Sequence, residues 1–202
     1  DLFKEVAKRT GLHVTYTEIS SFATLNQDLD AGKYDMICSP LLLLPPSMMK
    51  FLPGSIITAD DINIYADSKL DISGVKTLED MNDPRYTFVG MDGELGGLYA
   101  PKMFPRAKLT LLSMGLPPSQ MFMELFTKKA QFMILSRLAA QAYLKENPGK
   151  IQKVTPTPLI KTSVRLFYPA DGIILRTNIE AIVEELRLDG TLEKLLRKHD
   201  LM

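Results

Sequence analysis

Three apolar runs in this 202-residue chain end on residues that can do chemistry. "YDMICSP" ends on Ser39 and Pro40, "TFVGMDGE" on Gly93 and Glu94, and "QFMILSR" on Ser136 and Arg137. Parallel strands of one sheet bring their carboxyl ends to one edge, and ligands of α/β proteins collect at that edge. The groups placed there are the hydroxyls of Ser39 and Ser136, the backbone N–H groups around Gly93, the Glu94 carboxylate and the Arg137 guanidinium. These are groups for recognition by hydrogen bonds and charge. General acid–base catalysis needs a positioned pair, and Glu94 is the one carboxylate that this reading assigns to the edge. Phe22 could close one wall with its ring. The apolar stretch Leu41–Leu44 would exclude water and favour a ligand with an apolar part.

Each of these residues has an ordinary alternative role. Phe22, at a helix start, could be core, since aromatic residues are mostly buried for packing. Ser39 could satisfy a neighbouring backbone group. Glu94 could be a solvated turn carboxylate. Arg137 could cap a helix or form a surface pair of little energetic weight. "GELGG" lacks the lysine and spacing of a phosphate loop. A helix N-terminus after Gly96 and Gly97 could still hold an anion. Met48, Met49, Met121 and Met123 read first as adaptable core filler.

Composition narrows the function further. Lysine plus arginine and aspartate plus glutamate are equal at 24 each, which gives no basic excess for nucleic acid. One cysteine, Cys38, excludes an intrachain disulfide. With it stand only two distant histidines, His13 and His199, so a zinc site has little to work with. No metal or other cofactor is expected. No run of 18 apolar residues is present, so no membrane-spanning helix is expected. The chain opens inside an amphipathic helix, "DLFKEVAKRTGL", so an upstream segment is expected to have been removed or not shown.

The elements that must position these residues alternate. Helices are expected at "DLFKEVAKRT", at "SSFATLNQDLDAG" with Ser20 or Ser21 as N-cap, at "PPSQMFMELFTKKA", at "RLAAQAYLKENPG", and as a terminal pair broken at Asp189-Gly190. "KTLEDMNDP" reads as a short helical turn, and "YTFVGMDGELGGLYAPKMF" as strand, turn and helix. Strands are expected at "HVTYTEI", "YDMICSP" (as a buried parallel strand), "DINIYADS", "AKLTLLSM", "QFMILS", "IQKVTPTPL" and "GIILRTN". Two sets of alternating strands and helices argue for an α/β protein of two lobes, each a mostly parallel sheet flanked by helices. Residues 1–60 plus 165–202 would form the first lobe and residues 61–164 the second. The chain would cross between them near residues 57–68 and 155–169.

The order of "DLFKEVAKRTGLHVTYTE", "LDAGKYDMICSPL", "TFVGMDGE", "TKKAQFMILS", "DGIILRTN" and "LRLDGTLEKLLRKHDL" resembles that of a known family. It is similar to the bacterial extracellular solute-binding proteins that include the amino-acid receptors of ABC importers, with the type II periplasmic-binding fold. The resemblance covers nearly the whole chain. It implies a non-enzymatic protein, periplasmic or extracellular, that closes around a small molecule in a cleft between lobes and delivers it to ABC-transporter membrane subunits. An extracytoplasmic sensory domain of a signalling receptor with the same fold is the alternative, and an enzyme on this fold is a third class. The resemblance assigns ligand contacts to Phe22, Ser39, Pro40, Leu41, Ser47, Gly93, Glu94, Ser136 and Arg137.

Several of those positions depart from the amino-acid receptors. Ser47 stands where their carboxylate-clamping arginine stands, or Lys50 if the loop is shifted. Glu94 and Leu95 replace a serine or threonine that helps hold the ligand carboxylate, and Ser136 replaces the aspartate that pairs with the ligand ammonium. Both ends of the amino-acid clamp are therefore missing, so the expected ligand is not a standard polar amino acid. The family's opening strand does not stand ahead of "DLFKEVAKRT" in these residues: either it belongs to an upstream segment, or a divergent relative has lost it, which would leave a sheet edge bare.

Overall fold

The computed structural model describes residues 1–17, 24–42, 51–113 and 115–201, with the backbone alone for residues 26 and 39–42. The chain divides into two units. Among the described residues, one is built from residues 1–17, 24–42 and 51–60 together with residues from 162 onward, and the other from residues within 61–161.

In the first unit, α1 (Leu2–Thr10) buries Phe3 and Val6 and stops at Gly11, whose φ of 71° is the left-handed conformation that glycine adopts freely. The unit continues with α2 (Leu25–Asp30), β1 (Ile37–Leu42) and the first part of β2 (Leu52–Asp67). It closes with β7 (Ile160–Tyr168), α6 (Ile173–Leu188) and α7 (Thr191–Lys198). β1 pairs antiparallel with β7, and β7 neighbours β2. Ile179, Val183 and Leu186 recur at helical spacing on α6 and pack with Leu192 of α7 against Phe3, Val6, Ile57, Leu166 and Tyr168. Each such aliphatic side chain contributes about 1.5–3 kcal/mol when fully buried. The polar atoms beneath α6 are matched. Glu180 accepts hydrogen bonds from the Tyr168 hydroxyl and the Ser55 N–H, both at 2.6 Å, and Arg176 donates to the Pro53 carbonyl at 3.0 Å. Burial first, then the Glu180 carboxylate, pushes the Tyr168 hydroxyl far above its ordinary pKa.

The second unit holds the second part of β2, then β3 (Thr87–Met91), β4 (Lys108–Leu112), β5 (Phe132–Ser136) and β6 (Ile151–Lys153). Its helices are α3 (Leu95–Met103), α4 (Ser119–Phe126) and α5 (Arg137–Glu146), and a 3-10 turn spans Glu79–Met81. The strand order is β2-β5-β3-β4, with β6 also on β2. β3 is parallel to both β4 and β5, whereas β2 is antiparallel to β5 and β6. The fold is thus α/β with mixed sheets flanked by helices. On one face Val89, Met91, Met133 and Leu135 meet Met121, Phe122 and Leu125 of α4 and Ala140 of α5. Phe88 stacks on Phe104 at 4.6 Å and tilts against Phe132 at 5.4 Å.

Several sequence expectations are corrected. "YDMICSP" enters a strand only at Ile37, so Ser39 and Pro40 lie inside β1 rather than at its end, and the strand runs antiparallel to β7. An unbroken apolar run reports burial on both faces and says nothing of strand direction. "GIILRTN" opens α6, because the helical repeat from Ile179 to Leu186 propagates back to Gly172 and overrides the local β-branched pair. Residues 13–17 of "HVTYTEI" form no strand, and Glu18 and Ile19 lie outside the described residues. Of "IQKVTPTPL" only Ile151–Lys153 pairs as a strand, and Pro156 and Pro158 supply no N–H to extend a ladder. The short helix at residues 25–30 has Thr24 at its N-cap, whereas Ser20 and Ser21 lie outside the described residues.

Candidate ligand-binding site

β3 and β5 run parallel and in register, with Phe88 opposite Phe132 and Val89 opposite Met133. The segments that follow them, Asp92–Glu94 and Ser136–Arg137, therefore leave the second unit's sheet at the same edge. This is the carboxyl edge, where α/β proteins place ligands.

The turn after β3 is held by its backbone. The Asp92 N–H donates to the Leu112 carbonyl at 2.9 Å, and the Glu94 N–H donates to the Met91 carbonyl at 3.2 Å. Between them Gly93 has a φ of 76°, a conformation that a residue with a Cβ adopts only at a cost. Glu94 is the N-cap of α3 in extended conformation, and its side chain makes no capping hydrogen bond to the helix's first turn. The α3 N–H groups are thus presented at the strand edge, with the positive end of the helix behind them.

Three glycines set the helix there. A Cβ on Gly90 would lie 2.5 Å from the Gly97 nitrogen and 2.6 Å from the Gly96 carbonyl carbon. A Cβ on Gly96 would lie 2.9 Å from the Gly90 Cα. Backbone thus rests directly on backbone, and α3 starts close against β3. Sequence reasoning weighed "GELGG" only as an anion loop. The signal for close packing was Gly90 in a strand opposite Gly96-Gly97 in the following helix.

Glu94 is half-buried, and its carboxylate has no hydrogen-bond or ion-pair partner among the described residues. Burial pushes its carboxyl above the ordinary value. Across the edge, Ser136 is the N-cap of α5, and its Oγ accepts a hydrogen bond from the Ala139 N–H. Arg137 opens the helix and donates from Nη1 to Gln141 Oε1 at 3.3 Å. The structure therefore brings Gly93, Glu94, Ser136 and Arg137 to one edge, and it commits the Ser136 hydroxyl to a local bond.

Three of the remaining expected contacts lie in the first unit. Ser39, Pro40 and Leu41 belong to β1, where Leu41 pairs with Arg165 and the register shifts between Ile37 and Leu41. Phe22, Ser47 and Lys50 lie outside the described residues, as do Leu43 and Leu44. Among the described residues no group of three histidine, cysteine, aspartate or glutamate side chains could hold a metal ion. Among the same residues no helix is long and apolar enough to cross a membrane.

This architecture, with ligand-type groups at the carboxyl edge of a partly parallel sheet, is that of the type II periplasmic-binding proteins. Residues 1–201 match the family model "Bacterial extracellular solute-binding proteins, family 3", and the chain belongs to that family. The family binds solutes and does not catalyse their conversion. Among curated proteins none matches this sequence. Solved structures that resemble it include a mutant of ArgBP from T. maritima, with a TM-score of 0.83 at 20% identity over 100% of this chain and 83% of that one. The GluR0 ligand-binding core from Nostoc punctiforme, in complex with (L)-glutamate, has a TM-score of 0.82 at 17% identity over 100% of this chain and 89% of that one. The ancestral amino acid-binding protein AncCDT-1, a precursor of cyclohexadienyl dehydratase, has a TM-score of 0.82 at 19% identity over 96% of this chain and 80% of that one. At these identities the likeness is one of fold.

Proposed function

We propose that this protein captures a small molecule outside the cytoplasm for an ABC importer, and that its ligand is not a standard polar α-amino acid. The observation that carries the second part is Glu94. Its half-buried carboxylate, without a partner among the described residues, stands beside Gly93, in the turn that amino-acid receptors use for the ligand carboxylate. A second anion in that turn repels the first. On the neighbouring strand, Ser136 offers no charge to a ligand ammonium, and its hydroxyl already serves Ala139. Each missing charge-assisted hydrogen bond is worth about 1.5–3 kcal/mol, so two lower affinity by on the order of a hundredfold or more. In this reading Gly93, Glu94, Ser136 and Arg137 of the second unit contact the ligand, together with Ser39, Pro40 and Leu41 of the first and with Phe22 and Ser47.

Calorimetric titration tests the proposal. Glutamate, glutamine, lysine and arginine are expected to bind weakly, and micromolar or tighter binding of any of them refutes it. For an anionic ligand found by screening, Arg137→Ala should weaken binding by about 1.5–3 kcal/mol if the guanidinium contacts it. A second reading, a sensory domain of a receptor, is favoured by the likeness to the GluR0 ligand-binding core. A membrane-spanning helix and a signalling domain in the full-length sequence would select it.

A further inference from the structure

At the opposite edge of the second unit's sheet from Glu94 and Ser136 lies a groove of about 660 Å³. β2 is antiparallel to β5, so the end of β2 at Asp67 sits beside the start of β5, and the groove opens where they meet. Three separate segments bring Lys69, Lys128 and Lys150 to it, and Leu70, Met123 and Phe126 give it an apolar lining. The Ser68 N–H donates to the Lys150 carbonyl at 3.0 Å, which ties two of those segments together.

These lysines are not neutralised locally. None of the three is in an ion pair among the described residues, whereas the adjacent Lys129 lies 3.8 Å from Glu124. The groove's own carboxylates hold the backbone instead. Asp67 accepts from the Lys69 N–H and Asp71 from the Ser73 N–H, each at 2.9 Å. Lys128 also occupies a left-handed backbone conformation, with a φ of 62°, at the end of α4. Glycine or asparagine fills that position at less steric cost, so a lysine there is a charge retained against backbone preference. The lining adds Met123, which is 50% exposed although apolar.

We propose that this groove is a second ligand site that takes an amphipathic monoanion from solution. An anionic carboxylate or sulfonate head meets the lysines, and an apolar body lies along Leu70, Met123 and Phe126. The volume is within the range of small-molecule sites, about 300–1,000 Å³. Charge complementarity selects the anion, and the apolar lining selects the body.

Fluorescence titration with anilinonaphthalene sulfonate, itself an apolar body with an anionic head, tests this, with decanoate as competitor. The expected result is saturable binding of one dye per chain that decanoate displaces. Lys128→Glu and Lys150→Glu should each weaken it by at least about tenfold, since each removes a charge-assisted hydrogen bond and reverses the charge. Met123→Asp should weaken it as well. Ile174→Asp, which removes an exposed apolar residue of the first unit, should leave it unchanged. Circular dichroism establishes that each variant is folded. Absence of saturable binding, unchanged binding in both lysine variants, or abolished binding in Ile174→Asp would overturn the proposal. So would sedimentation with phosphatidylglycerol vesicles when decanoate fails to displace the dye, because the lysines would then serve a lipid surface.

Discussion

Ser136 Oγ accepts a hydrogen bond from the Ala139 backbone N–H at 3.0 Å. A residue at the carboxyl end of β5 is thereby the N-cap of α5, with one oxygen doing for the helix what water would otherwise do. Ser136→Ala should cost about 1 kcal/mol of stability. Aspartate caps as well as serine, so Ser136→Asp should keep the fold and add a carboxylate at the strand edge. Urea denaturation measures the first effect. Calorimetry measures the second, as a gain in affinity for lysine or arginine relative to the parent protein. No gain would mean that this position does not face a ligand.

The contact of Gly90 with Gly96 and Gly97 sets a second expectation. Gly90→Ala drives a Cβ into the backbone of α3, which cannot rotate away as a side chain tip can. Overpacking of this kind costs about 1–3 kcal/mol. A lowered urea midpoint is expected, together with weakened binding of whatever ligand the α3 N-terminus helps to hold. An unchanged midpoint would show that α3 is free to lift from β3.

Glu94 gives a pH signature. Burial raises its carboxyl pKa above the unfolded value. Its contribution to stability is therefore fully present below the unfolded pKa and is lost as pH rises through the folded one. Glu94→Gln should stabilise the unliganded protein at neutral pH and make no difference in acid. Urea midpoints of both proteins across pH check this, and parallel curves would contradict it.

Asp28 and Asp189 act in the opposite sense. Lys33 donates to Asp28 at 2.6 Å and Thr24 Oγ1 adds a bond at 3.0 Å, so the Asp28 pKa is lowered by Lys33 first. Arg9 holds Asp189 well below the usual carboxylate range, with help from Thr191. Both contributions are present above the unfolded pKa of about 3.9 and are lost as pH falls through the folded values. Asp189→Asn should flatten the acid limb of the stability curve. An unaltered limb would assign acid unfolding to other groups.

Much of this molecule was legible in its residues, and the exceptions have physical causes. Gly11, Gly190 and the repeats on α1 and α7 mark helices whose signals are local, and those two elements stand where the pattern puts them. Strand direction was not legible. Which neighbour β1 takes depends on β7, far along the chain, and no short-range signal encodes it. Ile173 and Ile174 show the limit of propensity, since two β-branched residues were outvoted by the sixteen-residue helix they begin. At the site, residue types pointed to Gly93, Glu94, Ser136 and Arg137 at or just past the ends of β3 and β5, whereas Ser39 and Pro40 lie within β1 rather than at its end. Residue types did not show that Ser136 spends its hydroxyl on Ala139 or that Gly90 and Gly96 touch.

The division of the chain within β2 and β7 also bears on synthesis. Residues 61–161 form one uninterrupted stretch, whereas the other unit is assembled from both chain ends. A growing chain therefore has the inserted unit complete while α6 and α7 are still untranslated. Until they emerge, Phe3, Val6 and Ile57 lack the Val183 and Leu186 that cover them. Domains fold as units during translation, at about 5–20 residues per second. The first part made is thus the last to be finished, whether the chain folds as it leaves the ribosome or after export.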